Sequence, residues 1–315
     1  MKHFLPVGVL LLLLLTALAC GSSNDDPEAT STSSPARTQS SGGSRETATP
    51  RNGPSSVPLP WIQVTPSDDG RISGPLYIAL GDSLSAGVGA SDYNEKGFVG
   101  LVHDALSPEF ALLNLGIAGH DSFELIDEGP LERATAEIRE RNNDDNPDND
   151  VEVVTFEIGG NDLLDLFFDL VLPGRCPSVT EGLQKPECVQ ALQETLDAYE
   201  PNLDLILDRL READPELNIF LMTLYNPFSG ASPVLDELGE LALEGAPDTP
   251  FPEGLQDIIR RQAEANDVHL VEVYPHFDGK AREYIAGDTI HPNDTGYRIM
   301  ADIVIAEIHG AGVVD

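Results

Sequence analysis

The sequence predicts an α/β fold in which a parallel sheet of five strands is covered by helices on both faces. Short apolar runs rich in Val, Ile, Leu and Phe alternate with segments in which apolar residues recur every three to four positions. The segments between the runs are long enough for the helical crossovers that parallel strands require. The alternation, with a hydrophobic content of 41%, predicts one domain of about 240 residues over 74–315.

The strands and helices follow each other in a regular order. Strands are predicted at 76–80, 111–115, 151–158, 217–224 and 268–273. Helices are predicted at 97–106, 122–141 with a break at Gly129-Pro130, 189–213, 252–266 and 293–309. Two longer segments, 163–188 and 226–252, interrupt the alternation. Because both follow strands, we expect them at the carboxyl edge of the sheet, and segments this long are typically functional or disordered.

The first 73 residues have the composition of an exported leader and tether. Residues 1–19 combine Lys2 with the apolar run 7–15, which is shorter than the ~20 residues of a membrane span, and predict a signal peptide. The small residues before Cys20 resemble a bacterial lipobox, so Cys20 is expected to be lipidated. Residues 20–73 are rich in Ser, Thr and Pro and predict a disordered tether. We expect an extracytoplasmic protein that is lipid-anchored to the cell envelope; full secretion is the alternative, and a retained membrane anchor is a third.

Charge and cysteine content narrow the classes of partner. The chain has 54 acidic and 18 basic residues and a formal net charge of −36, which argues against nucleic acid because phosphate binding needs a basic surface. Anionic lipid is also repelled, so contact with a membrane is expected only through the lipid anchor. Outside the cytoplasm, Cys176 and Cys188 predict a disulfide. No Cys/His cluster has metal-ligand spacing, so no metal site is predicted.

The first predicted strand ends in Gly81-Asp82-Ser83. A hydroxyl at the carboxyl end of a parallel strand lies at the ligand-binding edge of the sheet, so Ser83 is a candidate nucleophile, although such a turn is more often structural. A serine hydroxyl acts as a nucleophile only when a neighbouring base accepts its proton. Asp288 and His291 stand three positions apart before the last helix, where the carboxylate can orient the imidazole through Nδ1 and leave Nε2 free.

Two further strand ends offer hydrogen-bond donors for an oxyanion. The third strand runs into Gly159-Gly160-Asn161-Asp162, where the Asn161 amide is the donor. The second runs into a glycine-containing turn, where the Gly119 N–H is the candidate and Gly116 the alternative. Asp82 and Asp162 are expected to hold their turns by accepting backbone hydrogen bonds.

Together these segments resemble the SGNH hydrolases, the GDSL esterase/lipase family, in a form typical of bacterial envelope lipoproteins. The family's blocks carry Ser, Gly, Asn and His, and they match Gly81-Asp82-Ser83-Leu84, 114–119, Gly159-Gly160-Asn161-Asp162 and 288–292, in this order. The resemblance spans 76–309. It implies a flavodoxin-like three-layer sandwich whose five-stranded parallel sheet has the order 2-1-3-4-5.

The resemblance also implies the chemistry, a carboxylic ester hydrolase that works without metal or cofactor. Ser83 would be the nucleophile, His291 the general base and Asp288 its orienter. The Ser83 N–H, the Gly119 N–H and the Asn161 side chain would form the oxyanion hole.

The substrate is less well defined by the sequence. Acyl esters of lipids or small molecules, cleaved through an acyl-enzyme, are the first hypothesis. Deacetylation of polysaccharide is the alternative, and an inactive surface binding protein on the same fold is a third. The apolar residues of 163–172 either line an acyl pocket or pack as core beneath the disulfide loop. We expect a monomer that takes a small-molecule or lipid ester and binds no nucleic acid.

Overall fold

The computed structural model describes residues 74–106 and 108–314. The predicted signal peptide at 1–19, the predicted lipidated Cys20 and the tether at 20–73 lie outside these residues. Among the helices of the described ranges, none combines the length and the apolar character needed to cross a membrane.

Five parallel strands form one sheet in the order β2-β1-β3-β4-β5, as the family resemblance implies. The strands are β1 Leu76–Leu80, β2 Ala111–Asn114, β3 Val151–Phe156, β4 Ile219–Met222 and β5 His269–Val271. β1 lies between its two neighbours, pairing Leu76 with Ala111 and Tyr77 with Val153. The order places the β1 and β3 carboxyl ends side by side.

The last four strands each end one or two residues before the end of the apolar run that predicts them. Beyond β3 the run continues through Glu157 and Ile158, and beyond β4 through Thr223 and Leu224. The Glu157 and Thr223 N–H groups each donate one last hydrogen bond to the neighbouring strand, and the chain then enters the loops at the carboxyl edge. Ile158 and Leu224 are buried in those loops, which explains why the apolar runs extend past the strands.

Helices connect the strands and cover both faces of the sheet. In the described residues they are α1 Tyr93–Lys96, α2 Phe98–Ala105, α3 Ser122–Asp127, α4 Pro130–Arg141, α5 Gly160–Leu166, α6 Val179–Gly182, α7 Pro186–Ala213, α8 Pro233–Glu244, α9 Leu255–Ala265, α10 Tyr274–Phe277, α11 Ala281–Tyr284 and α12 Asp294–Gly310. A 3₁₀ turn at Pro147–Asn149 and a π turn at Phe167–Val171 complete the set.

The alternation of side chains along β1 divides the core into two layers. Leu76, Ile78 and Leu80 pack in a cluster with residues of α3, α4, α7 and α9. Tyr77 and Ala79 face the opposite way, into a cluster with residues of α2 and α12. The sheet is therefore buried on both faces, which is the three-layer arrangement the sequence predicts.

Several helix predictions are confirmed, and the longest of the helices that were not predicted is α8. The predicted break in 122–141 separates α3 from α4 at Gly129, which has φ +110°, and Pro130 begins α4. Helix α8 lies in the segment 226–252. Gly239 in α8 packs against Asn226, where an added Cβ would lie 2.6 Å from Asn226 Oδ1.

The predicted disulfide is present in the structure. It joins Cys176 to Cys188, with the Cα atoms 6.0 Å apart. The bond connects the loop after the π turn to the first turn of α7, so it closes the first of the two insertions onto the helical layer.

Candidate active site

A serine, a histidine and an aspartate form a continuous hydrogen-bonded chain at the carboxyl edge of the sheet. Ser83 Oγ lies 2.8 Å from His291 Nε2, and His291 Nδ1 lies 2.7 Å from Asp288 Oδ2. When Nδ1–H donates to the carboxylate, Nε2 is the basic nitrogen that can accept the hydroxyl proton. The structure thus brings together the three residues that the sequence predicts.

The Asp288 carboxylate holds the loop from Asp288 to His291 in place by accepting hydrogen bonds from the loop's backbone. Asp288 Oδ1 accepts hydrogen bonds from the N–H groups of Ile290 and His291, both at 3.0 Å, and Thr289 between them has φ +69°. Burial works to raise the pKa of Asp288, but these donors and the His291 ring outweigh it and leave the pKa below its ordinary value. The carboxylate is therefore charged at neutral pH and can orient the imidazole.

Residues from two other loops fix the same turn from outside. Tyr225, just after β4, donates its hydroxyl hydrogen to the Ile290 carbonyl at 2.8 Å. Gly89 packs so closely that an added Cβ would lie 2.8 Å from His291 Cβ. Sequence patterns do not point to either residue, because each acts through a contact with a distant part of the chain.

The turn that carries Ser83 requires its glycine. Gly81 has φ +152°, and an added Cβ would lie 2.1 Å from Glu157 Oε1. Asp82 Oδ1 accepts from the Leu84 N–H at 2.9 Å, as expected for an aspartate that holds its own turn. The Ser83 hydroxyl is thereby placed at the strand end, within reach of His291.

Asn161 and Gly119 lie on adjacent loops next to this turn. Asn161 Nδ2 donates to the His120 carbonyl at 2.8 Å and to Asp82 Oδ2 at 3.2 Å. Gly119 has φ +93°, and no atom lies within 4 Å of its added Cβ. Within the described residues, the N–H groups of Ser83 and Gly119 donate to no protein acceptor. Both remain available for a ligand.

Gly116, the alternative donor, is occupied in another way. Its N–H donates to Asn114 Oδ1 at 3.0 Å, and an added Cβ would lie 2.6 Å from Ser85 Cβ. Gly116 is therefore a packing glycine behind the Ser83 turn, and this geometry favours Gly119 as the donor.

Asp162 reaches beyond its own turn. It accepts from the Ser122 N–H at 3.0 Å and from the Ser122 hydroxyl at 2.6 Å, and Asn202 of α7 donates to that same hydroxyl oxygen at 2.9 Å. Burial raises the pKa of Asp162, while the two Ser122 donors oppose the rise. These bonds tie the loop after β3, which carries Asn161, to the loop after β2, which carries Gly119.

An apolar cavity of about 190 Å³ opens beside Ser83 and His291. The polar residues that line the cavity include Asp82, Ser83, Asn161 and His291. No Lys, Arg or Glu lines it. The apolar walls come from α5 and the π turn on one side and from α8 on the other, and include Leu163, Phe167, Leu170, Leu235, Leu238 and Leu241.

The two walls of the cavity meet through aromatic stacking. The rings of Phe167 and Phe228 stack with centroids 5.3 Å apart. In contrast, Phe168 and Leu172 are 52% and 48% exposed and do not line the cavity. The apolar segment 163–172 therefore divides its side chains between an acyl-sized cavity and solvent.

Comparisons with known proteins identify the family of the chain. The model of the GDSL-like Lipase/Acylhydrolase family matches residues 79–299. The chain is 25% identical over 243 residues to the uncharacterized protein YpmR of Bacillus subtilis (strain 168), covering 76% of this chain and 83% of the relative. It is 24% identical over 242 residues to the spore germination lipase LipC of Bacillus licheniformis, covering 74% of this chain and 96% of the relative.

Solved structures share the fold. The lipase Lip_vut3 from a goat rumen metagenome superimposes with a TM-score of 0.52 at 23% identity, covering 74% of this chain and 96% of that one. An extracellular lipase from Streptomyces rimosus gives a TM-score of 0.51 at 17% identity, covering 75% of this chain and 99% of that one. With the family model spanning more than half of the sequence, from β1 to α12, the chain belongs to the GDSL-like lipase/acylhydrolase family and is a carboxylic ester hydrolase.

Proposed function

We propose that this chain hydrolyses esters of medium and long acyl chains, lipids included, through an acyl-enzyme on Ser83. The observation that carries the proposal is the cavity beside Ser83 Oγ, where more than half of the lining residues are Leu, Phe or Val. Apolar surface of this kind favours an alkyl chain, by about 0.8 kcal/mol for each buried methylene.

In the proposed first step, Ser83 Oγ attacks the ester carbonyl carbon while His291 Nε2 takes the hydroxyl proton. The resulting imidazolium is stabilised by the Asp288 carboxylate, 2.7 Å from Nδ1. The carbonyl oxygen becomes an oxyanion, which the N–H groups of Ser83 and Gly119 and the Asn161 amide would bind.

Collapse of this intermediate breaks the bond to the alcohol, which leaves with the proton from His291 Nε2. The acyl group then remains on Ser83 as an ester. In the second half, Nε2 takes a proton from water, the hydroxide attacks the acyl carbon, and Ser83 recovers its proton as the carboxylic acid departs. Every proton passes through one nitrogen, so a base fixed 2.8 Å from Ser83 Oγ serves both halves.

Two observations favour acyl esters over acetylated polysaccharide. An acetyl group would leave most of the apolar cavity empty. A sugar ring needs polar partners, whereas the polar side chains that line the cavity include no Lys, Arg or Glu. The similarity to a protein named spore germination lipase supports the same choice.

Chain-length dependence tests the proposed substrate. Nitrophenyl esters from acetate to long acyl chains should be hydrolysed faster as the chain lengthens into the cavity. Leu170→Trp should fill the cavity and reduce the rate on long esters by at least about tenfold, with acetate affected little. Leu172→Trp is the matched control, because Leu172 is 48% exposed two positions away. A rate in the wild type that falls steadily beyond acetate, with activity on acetylated xylan, would favour the carbohydrate esterase.

Covalent labelling separates an enzyme from a binding protein on the same fold. A fluorophosphonate should label Ser83 in the folded wild type, while Ser83→Ala should neither label nor hydrolyse an aryl ester. Absence of labelling in folded wild type, or hydrolysis by Ser83→Ala, would contradict the assignment of Ser83.

For location, we propose export of the chain and lipidation of Cys20, with the tether at 20–73 joining the anchor to the hydrolase domain. The disulfide supports an oxidising compartment. In a bacterial host, the wild type should incorporate labelled fatty acid and sediment with membranes, and Cys20→Ala should do neither. Recovery of the wild type in the medium without label would favour full secretion. The domain is proposed to be a monomer, which light scattering can check.

A further inference from the structure

Glu157 is a buried carboxyl group that the ester-hydrolysis steps above do not use. It follows β3 directly and is 1% exposed. None of the ion pairs among the described residues includes it. A carboxylate at such a position, without a cation, would be costly, so its burial needs an explanation.

One oxygen of Glu157 holds the turn that carries the nucleophile. Glu157 Oε1 accepts from the Asp82 N–H at 2.9 Å, from the Ser85 N–H at 3.1 Å and from the Ser85 hydroxyl at 2.9 Å. Ser83 lies between the two residues that are held. Because Oε1 occupies the space beside Gly81, this glycine cannot carry a side chain.

The other oxygen has the surroundings of a protonated one. Glu157 Oε2 is buried and has no donor among the described residues. Burial raises the pKa of Glu157 well above its ordinary value, and the neighbouring Asp82 raises it further. The other titratable groups that face this pair are His291 and the hydroxyls of Tyr199, Tyr225 and Tyr297.

The charge of the pair belongs on Asp82. Burial raises the pKa of Asp82 to about 6, but hydrogen bonds from the Leu84 N–H and from the Glu157 carboxyl favour its ionised form. Asp82 Oδ2 accepts from Asn161 Nδ2 at 3.2 Å, and Asp82 Oδ1 lies 3.4 Å from Ser83 Oγ. A second negative charge on Glu157 would lie behind the same turn and would oppose formation of an oxyanion there.

We propose that Glu157 is a positioning residue for ester hydrolysis. As a neutral carboxylic acid it holds both sides of Ser83 through Oε1 and donates its Oε2 proton to Asp82, whose carboxylate then aligns the Asn161 amide. The proposal rests on the proposed roles of Ser83 and Asn161.

Two substitutions at Glu157 distinguish positioning from simple packing. Glu157→Gln keeps the acceptor at Oε1 and replaces the Oε2–H by an N–H, so kcat should stay within a few-fold of the wild type. Glu157→Leu removes both and should lower kcat on the order of 100-fold at unchanged KM, with fluorophosphonate labelling slowed in parallel. An activity in Glu157→Gln as low as in Glu157→Leu would overturn the proposal, since the glutamine preserves the neutral donor and acceptor.

A spectroscopic measurement tests the proton without relying on activity or on the folding of Glu157→Leu. The infrared spectrum of Ser83→Ala at neutral pH, minus that of Ser83→Ala/Glu157→Gln, should show the carbonyl stretch of a protonated carboxylic acid. Only Ser83→Ala carries Glu157, so only it should contribute this band. Its absence from Ser83→Ala would overturn the assignment of the proton. Because Ser83→Ala is used, this result stands apart from the proposed function, whose failure would be hydrolysis by Ser83→Ala.

The pH profile supplies the remaining check. As Glu157 loses its proton at alkaline pH, kcat of the wild type should decline, while Glu157→Gln should keep its rate. Identical alkaline profiles of the two proteins, with a decline in both, would assign the decline to another group and count against the proposal.

Discussion

Replacement of Asn161 by Ala tests how the site would stabilise an oxyanion. Of the two hydrogens on Asn161 Nδ2, one is held by the His120 carbonyl at 2.8 Å and the other more loosely by Asp82 Oδ2 at 3.2 Å. The second hydrogen is the one that an oxyanion can share with Asp82. A full oxyanion donor contributes about 3 to 4 kcal/mol, and because this hydrogen is shared, we expect the lower end, a kcat loss of about 100-fold.

The expected signature is a fall in kcat and kcat/KM together, with KM on a nitrophenyl ester unchanged, because the interaction forms in the transition state. The variant should also lose about 1 to 3 kcal/mol of unfolding free energy, since the His120 carbonyl loses its donor. Asn218→Ala is the matched control: Asn218 Nδ2 donates to the Glu152 carbonyl at 3.0 Å, before β4 and far along the chain from the site. It should lose comparable stability and keep its kcat. A raised KM at normal kcat in Asn161→Ala, or an equal kcat loss in the control, would refute the reasoning.

Three further predictions concern stability. Replacing Cys176 and Cys188 by Ser should lower the unfolding free energy in urea by about 3 kcal/mol, because the bond closes a short loop; unchanged unfolding would mean that the bond does not constrain the unfolded chain. Gly116→Ala should lose about 1 to 3 kcal/mol or fail to fold, since its Cβ would lie 2.6 Å from Ser85 Cβ, whereas Gly287→Ala, with no atom within 4 Å, should melt like the wild type. The pKa of Asp82 is raised from 3.8 to about 6 in the folded protein. The protonated Asp82 carboxyl therefore contributes its full stabilisation to the fold below about pH 4, and this stabilisation is lost as the pH rises through 6. The stability of the wild type relative to Asp82→Asn should therefore fall across that range, and a rise would contradict the assignment.

The features that were predictable from the sequence are those encoded within a few residues. Apolar runs that end in glycine predict strands that meet a site, and Asp288 with His291 needs only a three-residue separation to form its 2.7 Å contact. Ser83, Asn161 and Gly119 are recognisable for the same reason. Each stands close in the sequence to a glycine or an aspartate that marks the end of a strand.

The features that were not predictable depend on contacts between distant segments. Glu157 interrupts an apolar run, where a single glutamate suggests a solvent-facing position, yet its partners Asp82 and Ser85 lie more than 70 positions away. Asp162 likewise binds Ser122, 40 positions away. Helix α8 rests on the packing of Gly239 against Asn226. In each case burial of a polar or small residue becomes apparent only when the sheet brings the loops together.

The separation between the polar groups and the acyl cavity has a consequence for protein engineering. The nucleophile, base and donors occupy strand ends and short turns, whereas the cavity walls belong to the disulfide-closed insertion and to α8. A graft that exchanges these two insertions for those of a related hydrolase would leave the reacting groups on their own scaffold. We therefore expect acyl-chain preference to change with these two contiguous segments, which opens it to redesign by recombination.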